Sequence, residues 1–262
     1  LEEAGETFFW KPSEKGERSD FRFEEMLDNN LYLVGMKNGV YDLNLHQYRE
    51  AHCEDYISIS TNINYRECSW DDPEICDIME FISQIIPNEG VRNYVLTMVS
   101  SMLDGALLEM FNIWTGSGGN GKSKLVELMS LVLGEYKGTV PISLITQKRS
   151  NIGGTSSELY NLIGTRYAVM QEPSKGDKIN EGIMKELTGG DPIQCRALFQ
   201  NSINFIPQFK LIVCTNTLFD IVSNDDGTWR RLRKVDFESK FTETPYEDSR
   251  FPKKEYKYQF KC

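Results

Sequence analysis

Apolar and polar positions follow three different rhythms along the chain. Residues 1–30 show no clear period. Leu31-Tyr32-Leu33-Val34 is an apolar run, Asn38-Gly39 is a hairpin turn signal, and Val40-Tyr41-Asp42-Leu43 returns. Asn and Gly serve such turns because both tolerate positive φ. Tyr56-Ile57-Ser58-Ile59 alternates like a further strand. A small β-rich module is expected over 1–72. Asp72-Pro73 then predicts a helix start, with Ile75, Ile78, Met79, Ile82, Ile85 and Ile86 recurring at three and four residues. After Pro87-Asn88, the positions Val91, Tyr94, Val95, Met98, Val99, Met102 and Leu103 repeat that spacing. Two amphipathic helices are expected within 73–108, with Met98 and Met102 as core fillers.

From 109 to 241 strand and helix signals alternate, which predicts an α/β domain built on a parallel sheet flanked by helices. The expected strands are Met110–Trp114, Val140–Ile145, Arg166–Gln171, Lys210–Thr215 and Leu232–Phe237. The expected helices are Lys122–Leu133, closed by Gly134, and Lys178–Leu187, closed by Gly189-Gly190. Residues 242–262 form a C-terminal extension with interleaved Lys and aromatic residues, suited either to nucleic-acid contact or to solvent.

Composition narrows the classes. With 262 residues, 40% hydrophobic and 26% charged, the chain is neither disordered nor collagen-like nor a coiled coil. No apolar run reaches the roughly 20 residues of a membrane-spanning helix. A start at Leu1 without a basic-then-apolar leader leads us to expect a piece of a longer, non-secreted protein. Six cysteines without a CxxC pair suit reduced thiols. His46, His52, Cys53, Cys68 and Cys76 cluster along the sequence, but their spacing matches no familiar zinc site, and packing is the preferred reading.

The net charge of −10 speaks against a simple nucleic-acid binder. Its distribution changes that picture. Residues 1–110 hold 22 acidic and 8 basic side chains, a net of −14, whereas 111–262 hold 17 and 21, a net of +4. The acidic surplus belongs to the first part alone.

The sharpest chemical signal is Gly116-Ser117-Gly118-Gly119-Asn120-Gly121-Lys122-Ser123, which matches G-x-x-x-x-G-K-S at every fixed position. Between a predicted strand and a predicted helix, such a loop cradles phosphate with backbone N–H groups. Lys122 would then reach the β- and γ-phosphates, and the Ser123 hydroxyl would ligate Mg²⁺. The motif indicates a nucleotide without saying what becomes of it. Glu172 ends a predicted strand, where a carboxylate faces the crevice and can polarise water or support Mg²⁺. Asn216 ends another, where its amide can orient water beside the γ-phosphate or cap a turn. Arg230 and Arg231 can stabilise phosphoryl-transfer charge, in cis or across a subunit boundary, or form a basic stripe.

Five blocks in this order resemble the superfamily 3 helicases, most closely the primase–helicases of poxviruses and other large DNA viruses. They are the loop at 116–123, Met170-Gln171-Glu172-Pro173, Lys185–Asp191 running on to Arg196-Ala197-Leu198-Phe199, the strand Phe209–Asn216, and Asp226–Arg231. Gly39-Val40-Tyr41-Asp42-Leu43 is similar to the family's accessory module upstream of the ATPase. The resemblance spans about 31–241. It implies a P-loop NTPase of modified AAA+ type that assembles as a homo-hexameric ring around DNA, with ATP and Mg²⁺ held between subunits. In it Glu172 is the Walker B acid, Asn216 the polar sensor, and Arg230 or Arg231 the neighbour's arginine finger. The stretch 195–206 would be the DNA-touching hairpin, with Arg196, Gln200, Asn201 and Lys210 as candidate contacts. A primase region in the same full-length chain and an intracellular site of viral DNA replication are also implied. Two departures stand out: Gln171 precedes Glu172 where many members carry a second acid, and the expected hairpin tip lacks the usual Lys. The rival readings are another P-loop machine, such as a kinase or packaging motor, and an assembly or DNA-docking fragment inactive alone.

Overall fold

The computed structural model describes residues 26–146, 156–171, 178–219, 221, 225–247, 249–251 and 257–262. Strands β1 (Leu33–Met36), β2 (Gly39–Asp42) and β3 (Gln47–Arg49) form an antiparallel meander, with Met36 paired to Gly39 across the tight turn. Residues 56–59, expected as a strand, join no ladder. Their backbone is satisfied elsewhere: Tyr56 O accepts from Asp28 N, Ser58 N donates to Asp28 Oδ1, and Ile59 O accepts from the Tyr136 hydroxyl. A segment whose polar groups are met by side chains and a single loop residue has no need of a sheet partner.

Helix α1 (Pro73–Ile85) starts at the Asp72-Pro73 signal, and α2 (Glu89–Ser100) is capped by Asn88, whose side chain accepts from Val91 N. Of the predicted stripe, Ile82 and Ile85 of α1 and the following Ile86 are buried, while Ile78 is exposed. After them come β4 (Phe111–Thr115), α3 (Lys122–Leu133), β5 (Lys137–Thr139), the single turns α4 (Ser143–Thr146) and α5 (Ser157–Tyr160), β6 (Tyr167–Gln171) and α6 (Glu181–Thr188). The expected strand over Val140–Ile145 is displaced: pairing stops after Val140 N donates to Val169 O. Pro141, whose ring fixes φ at about −65°, opens the turn into α4, its carbonyl accepting from Leu144 N. Helix α6 begins at Glu181 rather than Lys178, fixed by the Asn180 side chain accepting from Ile183 N.

The remaining elements are the hairpin β7 (Ile193–Cys195) and β8 (Ile203–Phe205), then β9 (Lys210–Thr215), α7 (Asp226–Trp229), β10 (Leu232–Asp236), β11 (Ser239–Thr242) and β12 (Tyr258–Lys261). Five strands make one parallel sheet in the order β10-β4-β9-β6-β5. Alternate residues of its inner strands feed two cores. Trp114, Tyr167, Val169, Ile212 and Cys214 face α1, α2 and α3, together with Val34 of the meander. Phe111, Ile113, Ala168, Met170, Leu211 and Val213 face α6 and its neighbours. This period-2 partition covers both faces, as a parallel sheet requires. Met98 and Met102 lie in the first core, and the core is continuous from the meander to the sheet. Among the described residues, no helix is long and apolar enough to cross a membrane.

The strand order decides where a ligand can sit. The chain leaves β4 toward β5 at one edge of the sheet and leaves the adjacent β9 toward β10 at the other. Diverging exits open a crevice at the carboxyl ends of neighbouring strands, which is where α/β sheets bind ligands. The glycine-rich loop follows β4 at that end.

Candidate functional site

The loop from Gly116 to Gly121 turns on glycine. Gly118, Gly119 and Gly121 have φ of 86°, 60° and 81°, a left-handed backbone that L side chains rarely adopt. At Gly116 the requirement is steric: a Cβ there would fall 1.8 Å from Nδ2 of Asn120. Asn120 is therefore folded inside the loop. Its Oδ1 accepts from Lys122 N at 3.3 Å, and its Nδ2 donates to Phe237 O at 3.5 Å. Gly121 closes on α1, since a Cβ would meet Ile85 Cγ1 at 2.5 Å. A loop with three left-handed glycines at the start of a 12-residue helix suits an anion, through its backbone N–H groups and the helix dipole.

The loop borders a cavity of about 350 Å³ lined by Gly118 to Lys124, Val126, Cys214, Thr215 and Asn216. Lys122 is only 6% exposed. Its ammonium donates to Thr215 O at 2.7 Å and to Asn216 Oδ1 at 3.2 Å, which ties the loop to the end of β9. Burial pushes the adjacent Cys214 thiol up to about 11, with Lys122 pulling the other way. Ser123, the second residue of α3, is exposed at the cavity wall, and Ser117 is exposed on the loop. Across the strand ends, the Thr115 hydroxyl bonds the Asp236 carboxylate, which also pairs with Lys234 at 2.9 Å. Burial acts to raise the Asp236 pKa, but the Thr115 and Lys234 contacts outweigh it and hold the carboxyl below its ordinary value.

The structure thus brings together Gly116 to Ser123 and Asn216. Glu172 lies outside the described residues; the last described residue of β6, Gln171, is in register with Cys214. Arg230 and Arg231 lie elsewhere. They precede β10, whose Leu232 pairs with Phe111, whereas the loop follows Thr115. A five-residue strand separates the two ends by roughly 15 Å. Both arginines pair with Glu109, at 2.6 and 3.0 Å. Arg231 is buried and also donates to Gly227 O at 2.8 Å, while Arg230 is exposed.

The hairpin of β7 and β8 presents residues 196–202 at its end. Gln200 and Asn201 are exposed there, but the dominant feature is Phe199, 98% exposed and in the left-handed region, with Leu198 exposed beside it. Arg196 sits at the base, its backbone exchanging hydrogen bonds with Ser156. The expectation for Lys210 is corrected. Lys210 is 1% exposed and its ammonium binds Asp104 O and Oδ1, both at 2.7 Å. Burial lowers its pKa and Asp104 opposes that shift. A lysine locked in the core cannot touch DNA.

Two residues of β11 had no clear sequence signal: Lys240 Nζ donates to Gly118 O and Phe241 N donates to Gly119 O. Each pairing joins residues 122 positions apart.

Comparisons with known proteins cover most of the chain. Residues 114–231 match a family described as "Family of unknown function (DUF5906)", and residues 17–87 match "D5 N terminal like". A protein of Acanthamoeba polyphaga mimivirus named "Putative helicase" is 44% identical over 85% of this chain and 23% of its own length. Another of that name, from Invertebrate iridescent virus 3, is 35% identical over 84% of this chain and 24% of its own length. A "Putative primase" of African swine fever virus is 29% identical over 89% of this chain and 25% of its own length. The apo structure of the C-terminal region of NrS-1 shares the fold, with a TM-score of 0.51 and 13% identity over 75% of this chain and 44% of that one. The chain spans about a quarter of the length of the curated relatives it matches. Within that span, it is a homologue of the proteins of large DNA viruses named as helicases and primases.

Proposed function

We propose that this chain is the ATP-hydrolysing motor of a viral replication helicase, a P-loop NTPase of the superfamily 3, modified AAA+ kind. It works as a ring of six copies around DNA, within a longer protein that also carries a primase region. The observation that carries this reading is the Lys122 ammonium, held at the mouth of a glycine loop against Thr215 and Asn216 at the end of the neighbouring strand. The kinship with proteins named as helicases and primases supports the DNA part.

The chemistry follows from the residues. Loop N–H groups take the β-phosphate, and Lys122 exchanges Thr215 O and Asn216 Oδ1 for phosphate oxygens. Asn216, released from Lys122, orients the attacking water, and Glu172 accepts its proton. The water oxygen bonds the γ-phosphorus as the bond to the ADP oxygen breaks. The exposed Ser123 hydroxyl suits Mg²⁺, a hard cation that keeps most of its waters; when bound it would neutralise charge on the β- and γ-oxygens. Arg230, exposed and a strand length from its own loop, serves the site of the next copy, whereas Arg231 stays fixed in place and holds that edge. The mildly basic half lines the ring, and the acidic first part discourages binding outside it.

Phe199 is the expected DNA contact on the hairpin. Stacking of a base on an aromatic ring contributes about 1–3 kcal/mol. Phe199→Ala should weaken single-stranded DNA binding by roughly 5- to 100-fold, with ATP turnover in the absence of DNA unchanged. Fluorescence anisotropy with a labelled oligonucleotide and an ATPase assay with and without DNA check this. ATP turnover that DNA leaves unaltered in the unsubstituted chain contradicts the proposed function.

A further inference from the structure

We propose that the ribbon of β11 and β12 is a working part of the glycine-loop site and that Lys240 is its positioning residue, setting the affinity for nucleoside triphosphate; this rests on reading the loop as a nucleotide site. The ribbon binds the loop at two successive peptide groups. Lys240 Nζ donates to Gly118 O at 2.9 Å, and Phe241 N donates to Gly119 O at 2.7 Å. The N–H groups of those same peptides belong to Gly119 and Asn120, in the middle of the loop. A carbonyl that accepts a hydrogen bond, above all from an ammonium, polarises its peptide and makes the N–H a stronger donor. The ribbon therefore acts from behind the loop on the groups that face phosphate in front.

The geometry holds Lys240 to this task. Its side chain lies along the loop: a Cβ on Gly119 would meet its Nζ, Cε and Cδ at 2.9, 3.4 and 3.8 Å. Its ammonium also stands 4.3 Å from the centre of the Phe251 ring, a cation–π contact that restrains it. The ribbon is anchored at Ser239, buried, whose hydroxyl donates to Gln84 O at 2.6 Å near the end of α1. Phe241 packs on Phe260 at 5.7 Å, across the parallel β11–β12 pair. Lys240 is absent from the cavity wall, so it adds positive charge without occupying the space a nucleotide needs. Its effect belongs in binding, not in the chemical step.

The test is calorimetric binding of MgATP to the whole chain and to Lys122→Ala, Lys240→Met and Lys240→Arg variants, with steady-state hydrolysis alongside. The expected result is weakening by about tenfold for Lys240→Met, in line with the strength of a charge-assisted contact. Its kcat at saturating ATP stays within about twofold, Lys240→Arg is close to the unsubstituted chain, and Lys122→Ala does not bind. Hydrogen exchange of 117–121 in the nucleotide-free protein should speed up in Lys240→Met, with the thermal midpoint unchanged. If Lys240→Met fails to fold, Lys240→Gln, which keeps a donor but not the charge, takes its place with the same expected loss of affinity. Unchanged affinity in the uncharged variant, or a loss confined to kcat, overturns the role of Lys240 and leaves the nucleotide site standing. No binding by the unsubstituted chain overturns both.

Discussion

Replacing Lys122 by alanine should reduce ATP turnover by at least about 100-fold while leaving the fold intact. The size follows from what the ammonium does. A preorganised donor aimed at charge that develops in the transition state contributes roughly 100- to 1000-fold when it is removed singly. Under the proposed function Lys122 is such a donor; it is buried, donates to Thr215 O and Asn216 Oδ1, and opens the helix that follows the loop. The structural cost is modest. Thr215 O and Asn216 Oδ1 lose one charged partner, about 1.5–3 kcal/mol, but the chain no longer buries an ammonium, which offsets part of that loss. Turnover assays with a thermal melt separate the two effects. A catalytically dead variant with a nearly native melt is expected; turnover within threefold of the unsubstituted chain contradicts the site.

The largest stability effect should come from Arg166, which lies far from the chemistry. It is 2% exposed and donates to Leu33 O at 2.7 Å, to Asn30 O at 3.1 Å and to Leu103 O. Its guanidinium lies 4.5 Å from the centre of the Tyr136 ring. One side chain thus joins β1 and the loop before it, the end of the α2 region and the start of β6. Burial pulls its pKa down, and Tyr136, Asp104 and Asp28 act against that. Arg166→Ala opens a cavity and leaves three carbonyls without a donor, so about 3–5 kcal/mol should be lost. Arg166→Lys should recover little, because one ammonium cannot reproduce the planar fork that reaches three carbonyls. Urea unfolding measures this directly, and a loss below 1 kcal/mol would show that the meander is not fastened to the sheet through Arg166.

What the sequence could reveal depended on whether the physics was local. The bounds of α3, Lys122–Leu133, and of β9, Lys210–Thr215, are legible because a glycine loop, a stop glycine and a run of buried residues each carry their own signal. Pro141 was equally legible in principle, since its fixed φ suits the turn that opens there, with Leu144 N donating to its carbonyl, rather than a continued strand. Lys210 was not. A lysine opening an apolar strand reads as exposed until Asp104, 106 residues away, is seen beside it. Lys240 and Gly118 are 122 positions apart. The choice between Arg230 and Arg231 likewise required burial: both pair with Glu109, but Arg231 is buried and held by Gly227 O, whereas Arg230 is exposed.

In the proposed ring the ATP site is composite, with the loop and Lys122 from one copy and Arg230 from the next. Mixing two inactive variants distinguishes this arrangement from a site complete within one copy. Lys122→Ala supplies an intact Arg230, and Arg230→Ala supplies an intact loop. Co-assembled in equal amounts, they restore both halves at about a quarter of the interfaces if copies mix at random and assort independently. The predicted result is ATP turnover in the mixture well above that of either variant alone, on the order of a quarter of the unsubstituted level. A mixture as inactive as its two components, with co-assembly verified by mass, would contradict the composite site.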